Sequence, residues 1–95
     1  MILEIIDDDE WLEEQVNILK AEYDSQNIKL ETNEQIVNWL DDTDLIQVLT
    51  ENFDYDLVVI DKKDFSNEEF SKQSTKLFQK MKQEVIKNFL EEINK

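Results

Sequence analysis

The segment of residues 55–61 constrains the fold of this chain more than any other. It places four consecutive apolar residues, Leu-Val-Val-Ile, between aspartates. A short apolar run that is rich in β-branched residues and lacks polar alternation is typical of a strand covered on both faces, as in a sheet with helices packed on each side. We therefore expect residues 55–61 to form the central strand of an α/β domain.

Two further strands and a first helix are expected before this central strand. Residues 2–6 are apolar except for one glutamate, and residues 28–31 alternate between apolar and charged side chains as in a half-exposed edge strand. Between them, four apolar side chains recur at the spacing of one helix face: Leu12, Val16, Leu19 and Tyr23. The large aromatic residues lie in or beside such apolar stripes and are interpreted as core or rim residues: Trp11, Tyr23, Trp39 and Tyr55.

Three pairs of polar residues have the spacing of a capping box, in which the residue before a helix and the third residue of its first turn bind each other's backbone N–H groups. The pairs are Asp7 with Glu10, Thr32 with Gln35, and Ser66 with Glu69. Each predicts the beginning of a helix. The helix after Thr32 should break at residues 41–44, where the phase of the apolar positions shifts, and the helix after Ser66 should continue to about residue 92.

The resulting element order is βαβα(α)βα. Strands that alternate with helices predict an α/β fold with a three-stranded, mostly parallel sheet, right-handed crossovers and a long C-terminal helix. A length of 95 residues is that of a single domain. Within it we expect an acidic α/β body over residues 1–65 and a long amphipathic helix over residues 66–95.

The composition excludes most catalytic chemistries. The chain contains no Cys, His, Gly or Pro, so it lacks disulfides, thiol nucleophiles and the commonest metal ligand and general base. Glycine-rich phosphate loops and nucleophile elbows are excluded as well. We therefore expect a protein that is not an enzyme and needs no cofactor. The acidic start resembles no signal peptide and no apolar segment approaches about 20 residues, so a cytoplasmic protein without a membrane span is expected.

The net charge of −14 is unevenly distributed. Residues 1–60 contain 17 acidic and two basic side chains, whereas residues 61–95 contain seven acidic and eight basic ones. Such a field repels nucleic acid and anionic membranes and attracts basic partners at long range. A ridge of Lys72, Lys76 and Lys80 on the last helix is interpreted as a solvated face that also pairs with the acidic body. Acidity that serves only solubility is the alternative.

The acidic residues cluster at or near the ends of the predicted elements and form two candidate patches for binding a partner. The first patch contains Asp7, Asp8, Asp9, Glu10, Glu13 and Glu14, and the second contains Asp41, Asp42, Asp44, Asp54 and Asp56. Carboxylates presented in this way occupy the positions of nucleic-acid phosphates, and a few acids with an aromatic residue form a typical interface hot spot. The main prediction is a stoichiometric inhibitor that occupies the basic, nucleic-acid-binding surface of a target protein.

In size, acidity and composition the whole chain resembles the acidic inhibitors carried by phages and mobile elements. These include DNA-mimic anti-restriction and anti-CRISPR proteins, together with nuclease immunity proteins. The resemblance implies a basic protein as the partner, commonly a nucleic-acid-binding enzyme, with no direct contact to nucleic acid or membrane.

A second resemblance covers residues 2–61. A strand that ends in an acidic run, followed by a helix and later by a strand that ends in Asp61, resembles the first and third strands of a response-regulator receiver domain. The resemblance implies that Asp7 and Asp8 bind Mg²⁺ and that Asp61 accepts a phosphoryl group, and hard carboxylate oxygens suit that metal. The chain lacks the family's later strands, which carry its switch hydroxyl and its lysine.

A third alternative is a structural or oligomerisation module. Near the end of the last helix the apolar positions widen beyond a single core stripe: Val85, Ile86, Phe89, Leu90 and Ile93. A surplus of this kind predicts a second contact surface, and a homodimer through this part of the helix is the corresponding expectation.

Overall fold

The computed structural model describes residues 2–61 and 66–95, and its elements are four helices and two strands. In chain order they are β1 (Ile2–Ile5), α1 (Asp8–Ser25), α2 (Asn33–Asp42), α3 (Leu45–Asp56), β2 (Leu57–Asp61) and α4 (Asn67–Ile93). The predicted break at residues 41–44 is confirmed, since Thr43 and Asp44 separate α2 from α3. The predicted strand over residues 28–31 is wrong, because those residues form an irregular connection between α1 and α2.

The predicted three-stranded, mostly parallel α/β sheet is also wrong. Among the described residues the sheet has two strands, and β1 pairs with β2 in the antiparallel direction. Ile5 lies opposite Leu57 and Leu3 opposite Val59, and an irregularity between Ile2 and Leu3 places Ile2 opposite Asp61. β2 follows α3 without an intervening residue, so the strand continues directly from the end of that helix.

The strand β2 therefore lies at the edge of the fold and not at its centre. It packs chiefly on β1, and its residues Leu57, Val58 and Val59 are half-buried. Ile5 is buried and Glu4 is exposed, and since side chains alternate across a sheet, Leu57 and Val59 share the core face of Ile5 while Val58 shares the solvent face of Glu4. An apolar run without alternation was thus misleading, because one of its residues lies on the solvent side.

The helices supply most of the core, and α4 is its centre because it contacts α1, α2, α3 and β1. One aromatic group joins Trp11 to Phe53 with ring centroids 6.3 Å apart, and Phe53 to Phe78 at 5.1 Å. A second group contains Tyr23, Trp39 and Phe89; the rings of Trp39 and Phe89 are stacked 5.7 Å apart.

Helices α1 and α4 run in the same general direction. Lys80 and Met81 share a cavity with Asp8 at the beginning of α1, whereas Glu92, near the end of α4, lies 3.4 Å from the ammonium group of Lys20. The widened apolar positions of α4 are explained by this packing. Val85, Ile86 and Phe89 are buried against the other helices, and Leu90 and Ile93 are half-buried at the border of the same core.

The three predicted capping boxes have different outcomes. Thr32 and Gln35 form a complete box, with the Thr32 hydroxyl accepting from the Gln35 N–H at 3.2 Å. The Ser66 hydroxyl accepts from the Glu69 N–H at 3.1 Å. The box at Asp7 is wrong: this residue has a left-handed backbone with φ of 50°, and its side chain makes no capping hydrogen bond.

Asp44, before α3, has the same left-handed conformation, with φ of 58°. The chain contains no glycine, and aspartate is one of the few other residues that adopt this conformation at modest cost. At both of these turns the left-handed backbone therefore favours an aspartate, whose side chain also adds negative charge. Within the described residues, no helix combines the length and apolarity that crossing a membrane requires.

Candidate partner-binding surface

Four of the predicted partner-binding residues meet around one shallow depression. The depression has a volume of about 200 Å³ and is lined by Ile6, Asp7, Glu10, Trp11, Glu14 and Asp56. We call it the acidic depression. It combines residues of the first predicted patch with Asp56, which was assigned to the second patch.

The position of the depression follows from the junction of β1, α1 and α3. The Ile6 N–H donates to the Asp56 carbonyl at 3.4 Å, which fixes the end of the first strand beside the end of α3. The left-handed turn at Asp7 then sends the chain into α1. Glu10 and Glu14 are one helical turn apart and therefore lie on the same side of α1.

The floor of the acidic depression is held by Trp11. This side chain is 2% exposed, its indole N–H donates to the Asn52 carbonyl at 3.4 Å, and its ring meets Phe53 edge to face. Behind it, the Asn52 amide donates to the buried side-chain oxygen of Gln15 at 2.9 Å. Packing and hydrogen bonds that involve residues of α1 and α3 thus hold the Trp11 floor against the core.

Two large apolar side chains of this part of the chain are exposed, and of these Ile6 lines the depression whereas Tyr55 does not. Ile6 is 58% exposed, and Tyr55, which directly precedes Asp56, is 89% exposed. The sequence-based interpretation of Tyr55 as a core or rim residue therefore missed its exposure. The helical spacing contained the signal, because the buried stripe of α3 is Leu45, Leu49 and Phe53, and Tyr55 does not continue that stripe.

The other predicted residues lie elsewhere. Asp9 and Glu13 line a groove of about 370 Å³ between α1 and the end of α4, and Asp8 lines a cavity with Lys80, Leu77 and Met81. The first patch thus surrounds the beginning of α1 on several sides. The second patch is divided. Asp41 and Asp42 end α2, and Asp44 directly precedes α3, which places Asp44 about 15 Å from Asp54 at a rise of about 1.5 Å per residue.

The predicted patch residues make no intramolecular ion pair with any other described residue. The ion pairs found in this part of the chain join Lys20 and Lys95 to Glu92, and Lys29 to Glu31. At Glu92, hydrogen bonds from Lys95 and then from Lys20 lower the pKa of the carboxyl group below its ordinary value of 4.5. Lys20 and Lys29 therefore pair with carboxylates outside the two patches.

The backbone positions of the three aspartates of the receiver-like alternative lie apart. The backbone of Asp61 pairs opposite Ile2, whereas Asp7 and Asp8 follow the other end of β1. At about 3.3 Å per residue these positions are separated by more than 10 Å along the sheet. Parallel strands would bring their carboxyl ends to one edge, but the antiparallel pair does not. The described residues contain no group of acidic side chains arranged to hold a metal ion.

Comparison of the chain with protein-family models, with curated protein sequences and with solved structures finds no match. The site is therefore interpreted from its own geometry and charge.

Proposed function

We propose that this protein is a stoichiometric inhibitor that occupies the basic, nucleic-acid-binding surface of a target protein in the cytoplasm. The observation that carries the proposal is the acidic depression, in which four carboxylates lie around an exposed isoleucine and a fixed tryptophan floor. The net charge of −14 adds long-range attraction for a basic surface.

The proposed mode of action is mimicry of phosphates by carboxylates. Lysine and arginine side chains of the target would pair with Glu10, Glu14 and Asp56, and charge-assisted hydrogen bonds of this kind are stronger than neutral ones. Ile6 and Tyr55 would supply the apolar contact area, since tyrosine is enriched among residues that dominate binding energy. No bond is made or broken, and no cofactor takes part.

The proposal predicts competition with nucleic acid. Immobilised protein is incubated with a set of purified nucleic-acid-binding enzymes at increasing salt, and bound enzymes are eluted with duplex DNA. The expected result is an enzyme that DNA displaces from the column and whose own DNA binding is inhibited at a 1:1 ratio with this protein. Inhibition that requires a large excess, or an enzyme retained in the presence of saturating DNA, would contradict the proposal.

Two variants distinguish binding at the acidic depression from attraction by the net charge. Glu10→Gln, Glu14→Gln and Asp56→Asn remove three charges at the acidic depression, while Asp41→Asn, Asp42→Asn and Asp44→Asn remove three at the distant corner between α2 and α3. Both variants weaken long-range attraction equally. If the depression is the site, only the first variant loses most of its affinity at physiological salt, and equal losses would assign binding to bulk charge alone.

A further inference from the structure

The outer edge of β2 presents hydrogen-bonding groups that no described residue uses. The Ile6 N–H donates to the carbonyl of Asp56, so these residues form a hydrogen-bonded pair of the antiparallel ladder. Hydrogen-bonded and non-hydrogen-bonded pairs alternate in such a ladder. Glu4 with Val58 is therefore the next hydrogen-bonded pair.

The register determines which groups point away from β1. Leu3 with Val59 is a non-hydrogen-bonded pair, so the N–H and C=O of Val59 point outwards, together with the C=O of Leu57. None of the backbone hydrogen bonds found between described residues outside the helices and the strand pair uses these groups. An apolar edge with unpaired backbone groups is a template for another strand.

We propose that an extended segment of the target protein adds to this edge as a third strand, with an apolar middle and with lysine or arginine at the end that lies beside Asp56. The inference rests on the proposed function for the nature of the target. The strand β2 follows Asp56, which lines the acidic depression. A basic residue at this end of the added strand therefore meets opposite charge.

The net charge of the chain disfavours a second copy as the occupant of this edge. Pairing two copies through β2 would bring two net charges of −14 together, and like charges set against each other in an interface oppose association. In strand addition, main-chain hydrogen bonds supply the affinity and alternate side chains the specificity. Here the apolar middle of the added strand would contact Val59 on the core face and Val58 on the solvent face.

The experiment uses the full chain labelled with ¹⁵N and a peptide of sequence Lys-Lys-Val-Thr-Val-Thr-Lys-Lys. The expected result is a change in the amide resonances of Leu57 and Val59, with slowed hydrogen exchange at Val59. The same peptide with glutamates at its ends should bind about tenfold more weakly. A peptide N-methylated at alternate residues, which lacks the needed donors, should not bind.

Val59→Pro tests the protein side of the contact. Its N–H points away from β1, and proline is tolerated at such edge positions, so the variant should keep the helical circular dichroism of the parent. Its affinity for the basic peptide should fall about tenfold or more, because a donor is lost and the ring blocks the edge. Val59→Thr, which keeps the N–H, is the matched control.

Three results would overturn the inference: no change at Leu57 and Val59 with the basic peptide, equal binding of the acidic or the N-methylated peptide, or a dimer of the protein alone with a protected Val59 amide. The N-methylated peptide keeps the test decisive even if Val59→Pro fails to fold. If Val59→Pro still inhibits the target enzyme, strand addition is refuted and the proposed function stands. If Val59→Pro no longer inhibits the enzyme but a variant with Glu10 and Glu14 neutralised still does, strand addition stands and the proposed function is refuted.

Discussion

The two ends of the helical layer are packed in different ways. At one end, Tyr23, Trp39 and Phe89 contact one another through their rings, and the indole N–H of Trp39 donates to Gln26 at 3.0 Å. We call this the aromatic end. At the other end, β1, β2 and the acidic depression form the sheet end, where Ile6 is 58% exposed.

The difference indicates which end contributes more to the stability of the fold. The aromatic end joins α1, α2 and α4 and contains Phe89, which is fully buried. The sheet end concentrates like charges and half-buried valines around backbone groups that no described residue pairs with. We infer that the aromatic end holds the fold together, while the sheet end is adapted to meet another molecule and contributes less to the free energy of unfolding.

Truncating one side chain at each end should produce the largest contrast. Phe89→Ala should lower the free energy of unfolding by about 3–5 kcal/mol, because it leaves a cavity under a stacked tryptophan. Val59→Ala, in a half-buried edge strand, should cost less than about 1.5 kcal/mol. Urea unfolding followed by circular dichroism measures both values. Similar losses at the two positions would contradict the inferred difference in stability between the two ends.

The helix caps at the two ends should differ by a smaller amount. Thr32→Ala removes a complete capping box and should destabilise the protein by about 1 kcal/mol. Asp7→Asn keeps a residue that tolerates the left-handed backbone and breaks no capping bond, so its effect should stay within about 0.5 kcal/mol. Thermal denaturation of both variants at the same pH provides the test, and a larger loss at Asp7 would show that its charge holds α1.

Relief of charge repulsion at the sheet end should have a still smaller effect. Glu10 and Glu14 are like charges one helical turn apart, a spacing that destabilises a helix by about 0.2–0.5 kcal/mol. Glu14→Gln should therefore raise the unfolding free energy slightly at low salt and lose this advantage at about 1 M NaCl, where screening is strong. Glu34→Gln, on α2 and outside both patches, is the control. A gain that persists in high salt would point to another cause.

The smallest expected effect concerns pH. The pKa of Glu92 is lowered in the folded state by Lys95 and Lys20, so its contribution to stability is present above the unfolded pKa near 4.5 and is lost as the pH falls through the folded value. Glu92→Gln should flatten the decline of stability on acidification below about pH 4.5, because the variant lacks the small stabilising contribution that the carboxylate makes near pH 7. An unchanged acid limb would mean that these contacts are too exposed to matter.

Much of the helical structure was predictable from the sequence, because its signals are local. The apolar spacing of Leu12, Val16 and Leu19, the Thr32 box and the phase shift at residues 41–44 each depend on side chains within a few turns. The long last helix ends at Ile93, one residue beyond the expected end. In each case the residues that determine the element also belong to it.

The sheet was not predictable, because strand direction depends on distant partners. The apolar run at residues 57–60 indicated a strand but did not show that β1 would pair with it antiparallel, nor that residues 28–31 would stay outside the sheet. The candidate site could not be predicted in full for the same reason. Glu10 and Glu14 belong to one predicted patch along α1, but their meeting with Asp56 depends on a strand pair that joins the two ends of the body.

The strand pair also determines the order in which the protein is assembled. All three of α1, α2 and α3 lie between β1 and β2, so β1 emerges from the ribosome long before its partner has been synthesised. Contacts between such distant residues must overcome the entropy of closing a long loop and tend to form late. The newborn chain therefore holds an apolar N-terminal strand unpaired until residue 61 has left the exit tunnel. Its acidic neighbours at residues 7–10 would then act as gatekeepers against aggregation during that interval.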